Sequence, residues 1–351
     1  MHSFSTFRLI RSVSLALALL AAQAAATVIA APQAEPDAGA KKYTLRYKFK
    51  AGEVLRWEVE HRAQIRTTIQ GTTQTAETVS TSIKIWKVDK VDDRGQATFT
   101  YSVESVDMRQ KYDGRKELHY NSDTDKEAPP GFGDVAKAVG VPLAEVTLDN
   151  RGKLIKREEK RPSATPAPEA ITPPLPEEPV AVGAEWFTPA DIKVTLKTGE
   201  VKKIKARQRY ELESVKDQTA VIALATQILS PIRDNPEIEA QVVQSLGDGH
   251  IRFAIDDGRI LSQQSDVDER VNGFQGEASS LHCVTRFTEK LLPADAQTAR
   301  HASAAGPVAG PVAGPVAGPV AGPIAGPLAK PPAATTPKAA SRQRRKTPSR
   351  R

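Results

Sequence analysis

The strongest constraint on the fold of this chain is a pattern that it carries twice. Val146 to Leu154 (VTLDNRGKL) and Phe253 to Leu261 (FAIDDGRIL) share one plan: alternating apolar residues, an Asp-rich turn with a glycine, and a return to apolar residues. Each closes a run of strand-like segments. Each run also opens alike, with Gly52 and Trp57 in the first and Gly183 and Trp186 in the second. Self-similarity at this scale points to a duplicated supersecondary unit.

The residues between these landmarks read as strands. From Leu55 to Ile69 the odd positions are Leu55, Trp57, Val59, His61, Ala63, Ile65, Thr67 and Ile69, and the even ones are mostly Arg, Glu, Gln and Thr. A period of two held this long is a half-buried strand with length enough to curve or bend. Tyr43, Leu45, Tyr47 and Phe49 precede it in the same phase. Val79, Thr81, Ile83 and Ile85 follow, then Ala97, Phe99, Tyr101 and Val103, with a hairpin loop at Asp92–Gly95 between them. The second half repeats the habit at 192–196, 201–212, 220–229, 251–255, 260–271 and 280–291. No long helix separates these segments, as a parallel sheet would require. Two short helices are expected. One is Phe132 to Val139; the other runs from an Asn235 cap, with Pro236 at the first helical position, to Leu246 before Gly247. The expected fold is all-β: a duplicated unit of strongly curved antiparallel sheets with one or two short helices. Its first half spans 43–160 and its second 180–292, joined by a Pro-rich linker at 161–179.

The two ends carry a different message. Arg8 and Arg11, an apolar stretch from Leu15 to Ala22, and small residues up to Ala30 describe a secretory signal peptide over 1–30, followed by a flexible segment over 31–42. The same stretch read as a retained anchor is the alternative. The expected location is thus periplasmic or extracellular, soluble after cleavage. From Gly306 to Ala329 the chain repeats Gly-Pro-x-Ala, which forbids helix and sheet ladders and gives an extended spacer over 293–351 together with the tail. The tail holds Lys330, Lys338, Arg342, Arg344, Arg345, Lys346, Arg350 and Arg351 and no acid. The formal charge of +7 belongs to it, because the body between leader and tail is slightly acidic. Specific nucleic-acid binding is therefore not expected of the body. A tethered polycation suits an anionic envelope polymer or lipid head groups as partner. Cys283 is the only cysteine, so the fold must rest on its core rather than on a disulfide; with Leu281 and Phe287 on its strand face, it reads as a small buried hydrophobe.

Three segments carry a resemblance: Phe49 to Glu53 (FKAGE), Leu175 to Trp186 (LPEEPVAVGAEW), and Gly247 to Phe253 running on to Asp257 and Gly258. Together they resemble an uncharacterised family of exported bacterial β-rich proteins, known as a domain of unknown function, over Tyr43 to Leu292. The resemblance implies export and a β-rich build. It supplies no catalytic residues to carry over.

Motifs for nucleophilic, nucleotide or zinc chemistry do not occur in the sequence. Asp123, Asp125 and Glu127 alternate as in a calcium loop, but Ala128 stands where the sharp turn needs glycine. Asp92, Asp93, Asp149, Asp256 and Asp257 sit at turns beside glycine, where local backbone bonding accounts for them. His61 is the polar residue of interest, because it lies on the apolar face of the longest strand; Trp57 and Trp86 are the aromatic candidates for lining a ligand. The leading expectation is an exported, non-catalytic binding or structural module without cofactor or metal. Two alternatives stand beside it. A carrier of an apolar ligand, a lipid or acyl chain, requires a cavity of several hundred Å³ lined by the odd residues 55 to 69. A hydrolase of envelope polymers requires carboxylates or histidines from both halves in one cleft.

Overall fold

The computed structural model describes residues 40–161, 171–232 and 234–293. Among them the first half contributes β1 (Lys42–Tyr43), β2 (Val54–Ile69), β3 (Thr72–Val91), β4 (Ala97–Tyr112), β5 (Leu118–Asn121), helix α1 (Gly133–Ala138), β6 (Pro142–Leu148) and β7 (Leu154–Glu159). The second contributes β8 (Val180–Ala181), β9 (Glu185–Pro189), β10 (Ile192–Thr195), β11 (Val201–Ile204), β12 (Ala206–Lys216), β13 (Thr219–Ile228), helix α2 (Pro236–Val242), β14 (Asp248–Ala254), β15 (Arg259–Asn272) and β16 (Ser279–Leu291). The signal peptide, the Gly-Pro spacer and the basic tail lie outside the described residues.

The fold is all-β and antiparallel, and the two halves share one sheet. Its order is β7-β6-β4-β3-β2-β16-β15-β14-β13-β12-β9, with β5 added on β4. In each half three strands pair in turn, a short helix follows, and two more strands extend the sheet around an Asp-rich turn. The last strand, β16, then pairs with β15 on one side and with β2 on the other, from Ser279 opposite Ile69 to Leu291 opposite Trp57.

Local chemistry explains the corners. Asp92 Oδ1 accepts the amides of Arg94 and Gln96 (2.9 and 2.8 Å), and Asp149 Oδ1 those of Arg151 and Lys153 (2.8 and 2.9 Å). These are Asx turns, in which the side chain replaces a backbone acceptor. Asn235 Oδ1 accepts the amide of Ile238 at 3.1 Å, capping α2 behind Pro236 as its sequence predicts.

Two expectations are corrected. The alternation at Tyr43–Phe49 is not a strand of the sheet: only Lys42 and Tyr43 pair, with Ala181 and Val180. The rest is a strap laid across the turn end of the sheet. The Tyr47 amide donates to Asn150 O (2.8 Å) and the Lys48 amide to Gly258 O (2.9 Å), so consecutive residues bind both Asp-rich turns. Leu45 and Tyr47 alternate inward because they are buried there. The described end of the Pro-rich linker is likewise part of the core. Thr172 and Leu175 are buried, Tyr47 Oη meets Thr172 Oγ1 at 2.6 Å, and Trp186 Nε1 donates to Pro174 O at 2.9 Å.

One face of the sheet, the face of Trp57, holds the core. On the first half Leu55, Trp57, Val59, Trp86, Phe99 and Val146 pack together, with Trp86 stacked on Phe99 at 4.3 Å. On the second half Leu212, Ile222, Ile251 and Phe253 pack with Leu45 and Tyr47 of the strap. Phe49 touches both groups. Helix α2 and the 3-10 turn that follows it (Val243–Ser245) cover the far end of the same face, where Ala240 and Val243 meet Val271, Leu281 and Cys283. No described helix is long and apolar enough to cross a membrane.

Candidate ligand-binding face

Directly paired residues of neighbouring strands point to the same side of a sheet. The registers therefore define a lateral row through His61 on the packed face: Tyr120, Met108, Ser80, His61, Phe287, Ser265 and Gly249. The next row toward the strap reads Val106, Ser82, Val59, Glu289, Gln263 and Ile251. Away from the strap stand Thr78, Ala63, Thr285 and Val267. The middle of this face is thus floored by Ser80, Ser82 and Ala63, while Met108 and Tyr120 on one side and Phe287 on the other are large. In side-chain size this stretch is a trough, short residues between long ones.

His61 sits in that trough, half-buried, and burial alone holds its basicity below the ordinary imidazole value. Among the described residues its ring has no hydrogen-bond or ion-pair partner. The other described histidines each have an acid: His119 lies 3.1 Å from Asp107, His250 3.2 Å from Glu213, and His282 2.7 Å from Asp268.

The strap end of the same face is closed. Trp57, Trp86, Lys84, Gln263 and Glu289 from the sheet meet Tyr47, Phe49, Thr172 and Pro173, and the space left is about 10 Å³. That is room for about one water molecule. Lys84 Nζ is ion-paired with Glu289 Oε1, and Gln263 Nε2 donates to Glu289 Oε2. The same ammonium lies 4.7 Å from the Trp57 ring centre and 4.9 Å from that of Trp86. Trp57 and Trp86 are therefore core residues here, both at most 4 % exposed, and not the walls of an open ligand cavity. The carrier alternative requires a several-hundred-Å³ cavity lined by the odd residues 55 to 69; at its Trp57 end that space is filled by the strap and by 171–173, segments that the sequence presents as a strand and a linker. His61 stands apart from this closure. The alternation of the sequence places it on the packed face, where it is found; nothing in the sequence announced Lys84 and Glu289 as partners.

Four of the acidic candidates are occupied locally. Asp149 and Asp92 hold their own turns, as described above, and Asp256 Oδ1 accepts from Gln218 Nε2 at 2.9 Å. Asp125 Oδ2 takes the Asn121 amide at 2.7 Å, so the loop resembling a calcium site is a turn built on its own backbone. The strap brings the Asp149 and Asp257 turns to one end of the sheet. Cys283 is 1 % exposed, and burial pushes its thiol up to about 11. On the outer face, a shallow groove of about 390 Å³ runs between Glu58 and Glu60 on one side and His250 and Arg252 on the other, across Ser262 and Thr288.

No family model matches the chain, and no curated protein matches it. Among solved structures, one described as lipid–protein interactions in lipovitellin is 12 % identical, covers 70 % of this chain and has a TM-score of 0.38. The chain spans about a quarter of that protein, 26 % of its length. DynF from the dynemicin biosynthesis pathway of Micromonospora chersina is 7 % identical, with 76 % of this chain and 93 % of that one covered and a TM-score of 0.19. Both scores are too low to carry a fold or a function across.

Proposed function

We propose that this chain is an exported, non-catalytic binding protein that holds a ligand with an apolar body and one hydrogen-bonding group on the packed face, level with His61. The observation that carries the reading is the imidazole itself: half-buried, kept neutral by burial, and the one described histidine without an acid beside it. A neutral imidazole offers one donor and one acceptor. Such a group, facing small, partly buried side chains and without a partner among the described residues, is left for a ligand.

The strap supports a curled sheet around this trough. On a flat sheet the β6–β7 and β14–β15 turns, six strand spacings apart, would stand about 29 Å from each other. The adjacent amides of Tyr47 and Lys48 bond to both turns at once. We read the sheet as bent toward its packed face at this end, sealed by Tyr47 and Phe49, with the trough beyond the seal. The resemblance to exported β-rich proteins and the leader over 1–30 support a periplasmic or extracellular setting. In the same reading the tail, Lys330 to Arg351, tethers the protein to an anionic envelope component.

Native mass spectrometry of the full chain, purified from its own envelope fraction, tests the ligand reading. An apolar mass that co-purifies, leaves on organic extraction, and falls at least tenfold in occupancy in His61→Ala is the expected result. A bare polypeptide mass would refute it. Deletion of 306–351 is expected to weaken retention at the envelope with the melting temperature unchanged; undiminished retention would remove the role given to the tail.

A further inference from the structure

We infer that the outer face of the β10–β11 hairpin is a docking surface for an anionic lipid bilayer. The inference is independent of any ligand at His61. The hairpin belongs to neither half of the main sheet. Its inner side chains, Ile192, Val194 and Ile204, pack on Ile238 and Val242 of α2. Gln241 of α2 fixes it further: its Oε1 accepts the Thr195 amide and its Nε2 donates to Thr195 O, both at 2.9 Å. One face of the hairpin is thereby committed, and the other is held outward.

That outward face combines cations with an apolar side chain. Lys193 stands directly opposite Lys203, and Thr195 opposite Val201. Like charges directly opposite each other destabilise a strand pair. Lys203 is relieved by Asp191 at 2.6 Å, whereas Lys193 and the adjoining Lys205 have no ion pair among the described residues. Val201 is 62 % exposed and stands on the same outward face, one step beyond the Lys193–Lys203 pair toward the hairpin tip. The acids nearby are Asp191, engaged as stated; Glu237, paired with Lys197 at 3.1 Å; and Glu200 at the tip. From 191 to 205 the hairpin carries five lysines against two acids, although the body as a whole has no basic excess. A soluble polyanion would use the lysines and leave Val201 in water. An anionic bilayer uses both, because its surface attracts lysine and its interface accepts an apolar side chain.

The test is binding of the full chain to vesicles of phosphatidylcholine alone and with about a third phosphatidylglycerol. Wild type is compared with Lys193→Gln/Lys205→Gln and with Val201→Ser, the tail being present in all. The expected result is binding only to the anionic vesicles, weakened about thirtyfold in the double lysine variant and measurably in Val201→Ser. Because the variant relieves a like-charge pair, it is expected to melt no lower than wild type, which separates a lost surface from a lost fold. Anionic vesicles bound within twofold of wild type by the lysine variant would overturn the inference. So would an undiminished Val201→Ser together with a lysine-dependent affinity for poly-glutamate, since that pattern assigns the face to a polymer.

Discussion

Two glycines show how closely the turns are fitted to the strap. Gly152 and Gly258 each close one of the two Asp-rich turns, with φ of +83° and +59°. A Cβ on Gly152 would lie 2.6 Å from the Tyr47 ring, and one on Gly258 2.6 Å from the Lys48 amide nitrogen. Each glycine therefore answers both a backbone conformation and a close approach. Gly152→Ala and Gly258→Ala are expected to cost at least about 2 kcal/mol each in urea unfolding. Gly183→Ala shares the conformation, at +85°, but has open space around its Cβ, and is expected to cost about 1 kcal/mol. Equal losses at all three would separate the glycines from the strap. His61 gives a second prediction at this scale. Its native pKa lies below the unfolded value of 6.5, so the unfolded state binds more protons as acid is added. Its contribution to stability is whole above pH 6.5 and is lost as the pH falls through the lowered native value. His61→Gln should flatten the pH dependence of the urea midpoint in that window, and an unchanged slope would place the dependence elsewhere.

Helix α2 links the main sheet to the basic hairpin, so its cap has consequences beyond one turn. Asn235→Ala removes the acceptor of the Ile238 amide and is expected to cost about 1 kcal/mol. Hydrogen exchange at the Thr195 amide should rise in the same variant, because Gln241 of this helix accepts that bond. Protection at Thr195 equal to wild type would show the hairpin to be held independently. The Asn235–Pro236 cap was legible in the sequence because capping is a local matter of adjacent residues. The strands were legible for a similar reason: alternation over Leu55–Ile69 reports burial of one face, whatever that face packs on. The strap was not. Tyr43 to Phe49 alternates because Leu45 and Tyr47 point into the core, and the same alternation arises whether the backbone pairs in a ladder or crosses two turns. The site divides along the same line. The face on which His61 stands was legible from phase, whereas the closure over Trp57 and Trp86 depends on Thr172 and Pro173, more than eighty residues away along the chain.

At the scale of the whole molecule the question is what makes two half-sheets one structure. The β2–β16 ladder is the seam, and behind it lies a charge network that crosses from one half to the other. Lys84 on β3 is 8 % exposed and Glu289 on β16 is 5 % exposed, and they pair across β2 beneath the Trp57 and Trp86 rings. Removing two charges from water costs several kcal/mol per ion, which their attraction offsets only while both are present. The pair therefore adds little net stability and much conditional stability: either partner alone is a buried, uncompensated charge. Glu289→Gln leaves the Lys84 ammonium in that state and is expected to cost about 3–5 kcal/mol. Lys84→Met in the same chain should return most of the loss, since Gln263 keeps a hydrogen-bonding amide and the methionine stem still fills the space against both tryptophans. Because the pair spans the seam, the single variant should also disturb both halves together. Trp186 of the second half and Trp57 of the first would then lose their folded fluorescence in one urea transition. Two separated transitions already in wild type, with the first half retained after the second has melted, would show that the charge pair does not couple the halves.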